Sequence, residues 1–469
     1  MNPQDFRSHA HELVDWMADY LENVQKYPVT PDTQPGDVFE QLPTSAPEQG
    51  EPFDGIFADF EARILPAMTH WQHPRFFGYF PANASPPSLL GEMLMSTLGA
   101  QCMSWITSPA AAELEERVMD WLRQAIDLPD TFTGVIQDTA STATLCALLS
   151  ARERATGFDI NQKGFSGQRF RVYASTEIHS SIEKDVRIAG FGSENLVHIP
   201  VDQYFAMCPE ALEAAIEKDK ADGFTPLCVV GAWGTTSSTA LDPLEPLADI
   251  ADRHELWFHV DAAYAGSAFI LPEHRTLATG LERADSVVFN PHKWLMTHFD
   301  CSAYFVKDVN TLTRTFGLTP EYLKTDQDRQ VNNYRDWGIQ LGRRFRSLKL
   351  WFVMRSYGLK GLQHILRQHI QWIQQLTEEI VAHPDFEVMA PVPLNLVCFR
   401  YVGVPEPERD AFNTRLLKTL NATGQLFLTH TRLNEKYSLR LVAGQVSTTE
   451  NDVQAAWVQI QEVASCLTP

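Results

Sequence analysis

The chain has 469 residues, 44% hydrophobic and 11% aromatic, enough to bury a large core and to form two or three domains. Its 38 Lys and Arg face 59 Asp and Glu, a net charge of -21 that repels nucleic acid and anionic lipid and sets both aside as partners. The start, MNPQDFRSHAHELVDW, has no basic and apolar leader, and no apolar run reaches membrane-spanning length.

Residues 5–25 place Phe6, Leu13, Trp16, Met17, Tyr20, Leu21 and Val24 at helical spacing. A proline-rich extended segment follows, through Pro28, Pro31, Pro35, Pro43, Pro47 and Pro52, and a piece this long is expected to lie across another surface, that of a second subunit included. From about residue 85 strands and helices alternate. TATLCALLSARERA (142–155) reads as a helix, RFRVYAS (169–175) as a strand and PEALEAAIEKDKA (209–221) as a helix. PLCVVGAW (226–233), LWFHVD (256–261) and SVVFN (286–290) are short apolar strands, with a helix over 243–255. A long helix over 358–383 then leads to FEVMA, LVCFRYV, a helix near 407–420, FLTHTRL, YSLRLVA and a last helix beginning at TENDVQAAW. The expectation is an α/β chain with a mostly parallel central sheet and helices on both faces. An N-terminal helical and extended segment (1–84) precedes the large domain (85–350), and a small C-terminal α+β domain (351–469) follows it. The seven cysteines are scattered without C-x-x-C pairing, so neither a zinc site nor a disulfide framework is expected, and the setting is expected to be reduced and cytoplasmic. The sequons at Asn83 and Asn421 are then expected to be unused.

In open α/β sheets ligands bind beyond the carboxyl ends of the strands. The polar residues there are Thr139, Ala140 and Ser141 after GVIQ, then His179, then Thr235 and Thr236. Asp261 follows, and then Asn290, His292 and Lys293. Each has an ordinary alternative: DTAS caps a helix as well as it binds an anion, and His179 suits a core. Asp261 is harder to set aside, because an acid closing an apolar strand needs a positive partner. Lys293 stands among Phe289, Trp294, Leu295, Met296 and Phe299, and a lysine is rarely buried unpaired. An anionic tail, a basic ring nitrogen and an aldehyde answer all three needs. Pyridoxal 5'-phosphate has them, with its phosphate at 139–141, its ring nitrogen at Asp261 and its aldehyde held by Lys293 as a Schiff base.

HVDAAYAGSAF, ADSVVFNPHKWL, HFDCSA, IHSSIEKD and LGRRFRSLKLWF together resemble the group II pyridoxal-phosphate decarboxylases, and within them the bacterial-type aromatic-L-amino-acid decarboxylases, over nearly the whole chain. The resemblance implies fold type I, the aspartate-aminotransferase type, and a homodimer with active sites at the subunit boundary. It implies a catalytic set of Lys293, Asp261, His179 and Tyr322. His179 would stack on the ring, and Thr139, Ala140, Ser141, Thr236, Ala263, Asn290 and His292 would complete the cofactor site. Tyr322, in the long stretch 316–340 that reads as poor in apolar anchors, would protonate the carbanion; relatives with Phe there form aldehydes instead.

For the substrate, Trp71, Tyr79, Phe80, Pro81 and Phe299 match pocket positions of the family. Gln101 and Met103 stand where the neighbouring subunit would contribute an aliphatic and a phenylalanine side chain. Gly342 favours an aromatic amino acid over histidine, and Ala82 replaces a threonine. Dopa, tyrosine, tryptophan and phenylalanine stay unranked. The alternatives are a decarboxylase of glutamate, aspartate, 2,4-diaminobutyrate or histidine, a same-fold aminotransferase or aldehyde synthase, and a non-enzymatic scaffold. The scaffold predicts loss of Lys293, Asp261 or His179, and all three are present.

Overall fold

The computed structural model describes residues 1–318 and 330–468. The chain divides into two compact units, one of Ala82–Thr377 with Val388–Cys398, the other of Met1–Pro81, Glu378–Glu387 and Phe399–Pro469.

The larger unit is built on a seven-stranded sheet: β1 (Thr133–Gln137), β2 (Phe170–Ser175), β3 (Leu196–Ile199), β4 (Thr225–Ala232), β5 (Trp257–Asp261), β6 (Ser286–Phe289) and β7 (Ser302–Val306). Their order is β1-β7-β6-β5-β4-β2-β3. The pairs from β3 through β6 are parallel, and β7 runs antiparallel to both β6 and β1. Every residue of β5 and β6 is buried, as expected of strands covered on both faces. Ala232 lies opposite Asp261, and Asp261 opposite Val288, so the carboxyl ends of β4, β5 and β6 finish level. β3 and β7 have no counterpart among the strands read from the sequence. The helix Ala140–Thr156 packs its small residues Ala143, Cys146, Ala147 and Ala151 into the same core as Val172, Val230 and Trp257. It ends on Gly157, whose φ of 60° is the left-handed turn that glycine adopts without strain.

The expected long helix runs from the break at Gly358, where φ is 63° and ψ 167°, to Ala382, and a further helix from Arg346, not among those read from the sequence, precedes it. One expectation is revised. The stretch 316–340 has apolar anchors after all: Tyr334 and Trp337 are 2% and 3% exposed and belong to the central core. Tyr322 lies outside the described residues.

In the smaller unit β8 (Phe386–Val388), β9 (Leu396–Tyr401), β10 (Thr429–Leu433) and β11 (Lys436–Val442) form a sheet in the order β10-β11-β9-β8. The helix Pro3–Asn23 opens with a capping box on Asn2 and buries none of its residues. The extended segment after it returns to its own unit: the N–H of Val29 bonds the carbonyl of Gly424 at 2.7 Å, and that of Phe77 bonds Phe427 at 2.9 Å.

Candidate active site

The candidate residues gather beyond the adjacent ends of β4, β5 and β6. Asp261 closes β5, is 8% exposed, and accepts the Ala263 N–H at 3.0 Å. The carbonyl of Ala263 in turn accepts the Asn290 N–H at 2.9 Å, just beyond β6, and the carbonyl of Asn290 accepts that of Lys293 at 2.9 Å. Asn290 also takes the hydroxyl of Ser302. Ser302 pairs in register with Gln137, so Asn290 stands beside the strand whose next residues open the helix Ala140–Thr156. These links bring Asp261, Ala263, Asn290 and Lys293 into one place, level with Thr139, Ala140 and Ser141.

The turn bearing Lys293 is held on both sides. His292 Nδ1 accepts the Cys301 N–H at 2.9 Å, and its ring lies 4.6 Å from that of Phe299. Trp294 is fully buried, donates to His369 Nδ1 at 3.0 Å, and stacks on Tyr264 at 5.2 Å. Asn83 Nδ2 donates to the Lys293 carbonyl at 2.6 Å, and its backbone N–H reaches the His292 carbonyl at 3.2 Å. Asn83 entered the sequence reading only as an unused sequon. Its 1% exposure shows a structural side chain, closed to a glycosylating enzyme in the folded chain.

Electrostatics follow from burial. Lys293 has its pKa lowered by desolvation, with Asp261 pulling the other way, which favours the neutral, nucleophilic amine. His179 is likewise lowered, by desolvation first, against Asp261, with Lys293 adding to the fall, so both side chains feel the same carboxylate. His179 caps the helix Ser180–Ile188, and its Nδ1 faces the Ser181 N–H at 3.2 Å and Oγ at 2.8 Å, which fixes the ring. Burial pushes His292 down to about 3, so it is neutral at any physiological pH. At the start of the helix Ala140–Thr156, Thr139 caps it through the Thr142 N–H, while the N–H groups of Ala140 and Ser141 make no hydrogen bond among the described residues. Thr235 bonds back to the Ala240 N–H, and Thr236 is exposed at the end of β4.

Among the expected substrate contacts, Phe299 is 51% exposed. Gln101 uses its Oε1 to accept the Arg343 N–H at 2.7 Å, and Met103 offers its carbonyl to the Arg335 N–H at 2.8 Å. Trp71, Tyr79, Phe80 and Pro81 belong to the smaller unit. There Trp71 stacks near Phe76 at 4.4 Å and Tyr79 at 5.9 Å, and the Arg440 guanidinium lies 5.3 Å over Phe80.

The family model for the pyridoxal-dependent decarboxylase conserved domain matches residues 35–402. The chain belongs to the pyridoxal-dependent decarboxylases. The enzyme is 42% identical to tryptophan decarboxylase TDC2 of Camptotheca acuminata, over 100% of this chain and 96% of the relative. It is 43% identical to a phenylacetaldehyde synthase of Arabidopsis thaliana, over 100% and 97%. The crystal structure of Catharanthus roseus tryptophan decarboxylase in complex with L-tryptophan superposes with a TM-score of 0.94 at 39% identity, covering 100% of this decarboxylase and 99% of that chain. Its mixed, mostly parallel sheet is that of fold type I. The residues in place suit pyridoxal 5'-phosphate: open N–H groups at a helix start for the phosphate, a buried carboxylate for a protonated ring nitrogen, and an amine driven toward its neutral form. Among the described residues no helix of this decarboxylase is long and apolar enough to cross a membrane.

Proposed function

We propose that this decarboxylase removes the α-carboxyl group of an aromatic L-amino acid, releasing the amine and carbon dioxide. The full-length likeness to a tryptophan decarboxylase carries the choice of substrate class. Lys293 tethers the cofactor. Asp261 faces the ring nitrogen and keeps it protonated. Bound pyridoxal 5'-phosphate supplies the electron sink for the pair released with carbon dioxide. His179, its orientation set by Ser181, covers one ring face, and the helix start at Thr139, Ala140 and Ser141 takes the phosphate together with Asn290 and His292. Thr236 and Ala263 border the ring. Tyr322 delivers the proton that completes the amine. In the larger unit the substrate contacts are Phe299, Gln101 and Met103.

The working form is a homodimer in the cytoplasm, with residues 1–84 reaching over the partner. Supporting this, the helix Pro86–Leu98 exposes Leu90, Met93, Leu94 and Leu98, and the first helix exposes Phe6 and Val14. Sedimentation of the purified protein at a monomer mass would remove this part of the reading.

A second reading, an aldehyde synthase, has a specific basis in the phenylacetaldehyde synthase at 43% identity. Tyr322 favours the amine. The test is a product assay with cofactor and, separately, dopa, tyrosine, tryptophan, phenylalanine, histidine, glutamate and 2,4-diaminobutyrate. Amine from the aromatic set alone is expected. Aldehyde with ammonia and hydrogen peroxide would transfer the assignment to the synthase, and amine from only glutamate or diaminobutyrate would overturn the aromatic reading.

A further inference from the structure

Residues 337–340 have no part in the chemistry above, yet they are fastened to the residues that lead into the helix Ala140–Thr156. Gln137, the last residue of β1, is 7% exposed, and its Nε2 donates to the Trp337 carbonyl at 3.0 Å. Trp337 itself is anchored in the central core. Gly338 lies so close that a Cβ there would meet the Gln137 amide at 2.8 Å. Two residues on, Gln340 Nε2 donates to Oδ2 of Asp138.

The second oxygen of Asp138 is engaged as well. Its Oδ1 accepts the Thr139 N–H at 2.6 Å and the Thr139 hydroxyl at 3.2 Å. Among the described residues the donors to Asp138 are thus one backbone amide, one hydroxyl and the Gln340 amide. Just beyond stand the Ala140 and Ser141 N–H groups, which make no hydrogen bond among the described residues. Thr139 covers the helix start only through a long 3.4 Å contact with the Thr142 N–H. A carboxyl group beside such a start is a natural competitor for its donors, because acidic side chains satisfy orphan N–H groups and suit the positive end of a helix. Here that competitor stands one residue before the cap, and its oxygens are taken by Thr139 and Gln340 instead.

We propose that Gln340 is a positioning residue of the phosphate site, holding the Asp138 side chain off the Ala140 and Ser141 N–H groups and so keeping them open to the cofactor's phosphate. Without Gln340, Asp138 has an oxygen that lacks a donor, next to two N–H groups that lack an acceptor. Joining them closes the helix start with an acceptor that the phosphate must displace.

This inference rests on the proposed place of the phosphate at Thr139, Ala140 and Ser141, and the test separates the two. The full-length chain, freed of cofactor, is titrated with pyridoxal 5'-phosphate and with pyridoxal, which has the same ring and aldehyde and no phosphate. Binding is read from absorbance. Gln340→Ala is expected to weaken pyridoxal 5'-phosphate by roughly fivefold, the worth of one helix-capping interaction, and to leave pyridoxal where it was. Adding Asp138→Ala removes the competitor and is expected to restore the wild-type affinity. A merely damaged site would weaken both ligands and would not recover when a second side chain is removed. Equal losses for both ligands, no loss at all, or a loss that Asp138→Ala leaves in place each overturn the proposal.

Ala140→Pro tests the place of the phosphate. Proline is tolerated at the first helical position after the extended Thr139 (φ -136°, ψ 163°), and it deletes one N–H. It is expected to weaken pyridoxal 5'-phosphate alone. If it weakens neither ligand, the phosphate does not bind at this helix start, and the role of Gln340 falls with that reading. If it acts and Gln340→Ala does not, the reading stands and only the role of Gln340 falls. Should Gln340→Ala not fold, Gln340→Glu, which keeps the shape and loses the donor, takes its place under the same criteria.

Discussion

Asn83 grips the backbone of Lys293: its side-chain amide donates to the Lys293 carbonyl at 2.6 Å across 210 residues of sequence. Its own N–H holds the preceding carbonyl, so one buried residue braces the turn that carries the reactive amine. Removing the side chain in Asn83→Ala leaves a partly buried carbonyl without its donor. The cost expected is about 1–3 kcal/mol of stability, measured by urea unfolding. Borohydride fixation of the cofactor to Lys293 should slow in parallel. Unchanged values of both would mean the turn is held well enough by Trp294 and His292.

The pH dependence of stability has a definite sign on the acid side. His259 is fully buried and pushed down to about 4, and His292 to about 3, both chiefly by desolvation. The unfolded chain therefore takes up protons at these positions that the folded chain refuses. Their stability contribution is complete above pH 6.5 and is lost as the pH falls toward 4. His259→Asn, which cannot take up a proton, should flatten the fall in urea midpoint between pH 6.5 and 4. An unaltered slope would show that His259 is not among the groups that protonate on unfolding.

Arg343 and Glu115 form a buried pair, with contacts of 3.1 and 2.6 Å, and both are closed to solvent. Arg343 also donates to the Ile136 carbonyl at 2.7 Å, and Glu115 accepts the Ile136 N–H at 2.9 Å, so the pair fastens β1 just before the helix Ala140–Thr156. Glu115→Ala strands a buried guanidinium and is expected to cost about 3–5 kcal/mol. The double variant Glu115→Leu with Arg343→Met should recover part of that loss. A cost of the single change no larger than that of an exposed pair, about 1 kcal/mol or less, would show the guanidinium re-solvated.

The strands most readable from sequence were those whose environment is uniform. WFHVD is apolar until its last residue because both sheet faces are covered, and the acid at its end marks the site for the same reason. β7 escaped because it follows the apolar site loop 290–301, where only the four-residue helix Pro291–Trp294 intervenes and the hydrophobic pattern shows no boundary. Asn83 escaped for a different reason: its partner is distant in sequence, and a buried amide looks the same on paper as an exposed one. Asp185 sits in IHSSIEKDVRI, where a charge run reads as a solvated face, and only the packing of Ile182 and Val186 shows that it turns inward.

The proposed function assigns the final proton to Tyr322, so its replacement is the most informative single change. After carbon dioxide leaves, the carbanion is either protonated to the amine or captured by oxygen on the way to an aldehyde. Tyr322→Phe removes one hydroxyl and keeps the ring. Cofactor content, read by absorbance, should stay at the wild-type level, since Lys293, Asp261 and the helix start are untouched. Amine output should fall by about 10²–10⁴-fold, the usual worth of a positioned general acid. Aldehyde, ammonia and hydrogen peroxide should rise in equal amounts. The companion change Lys293→Ala should abolish borohydride fixation and turnover together, separating loss of the tether from loss of the proton donor. Amine production by Tyr322→Phe at the wild-type rate would remove Tyr322 from the mechanism and assign the proton to another group.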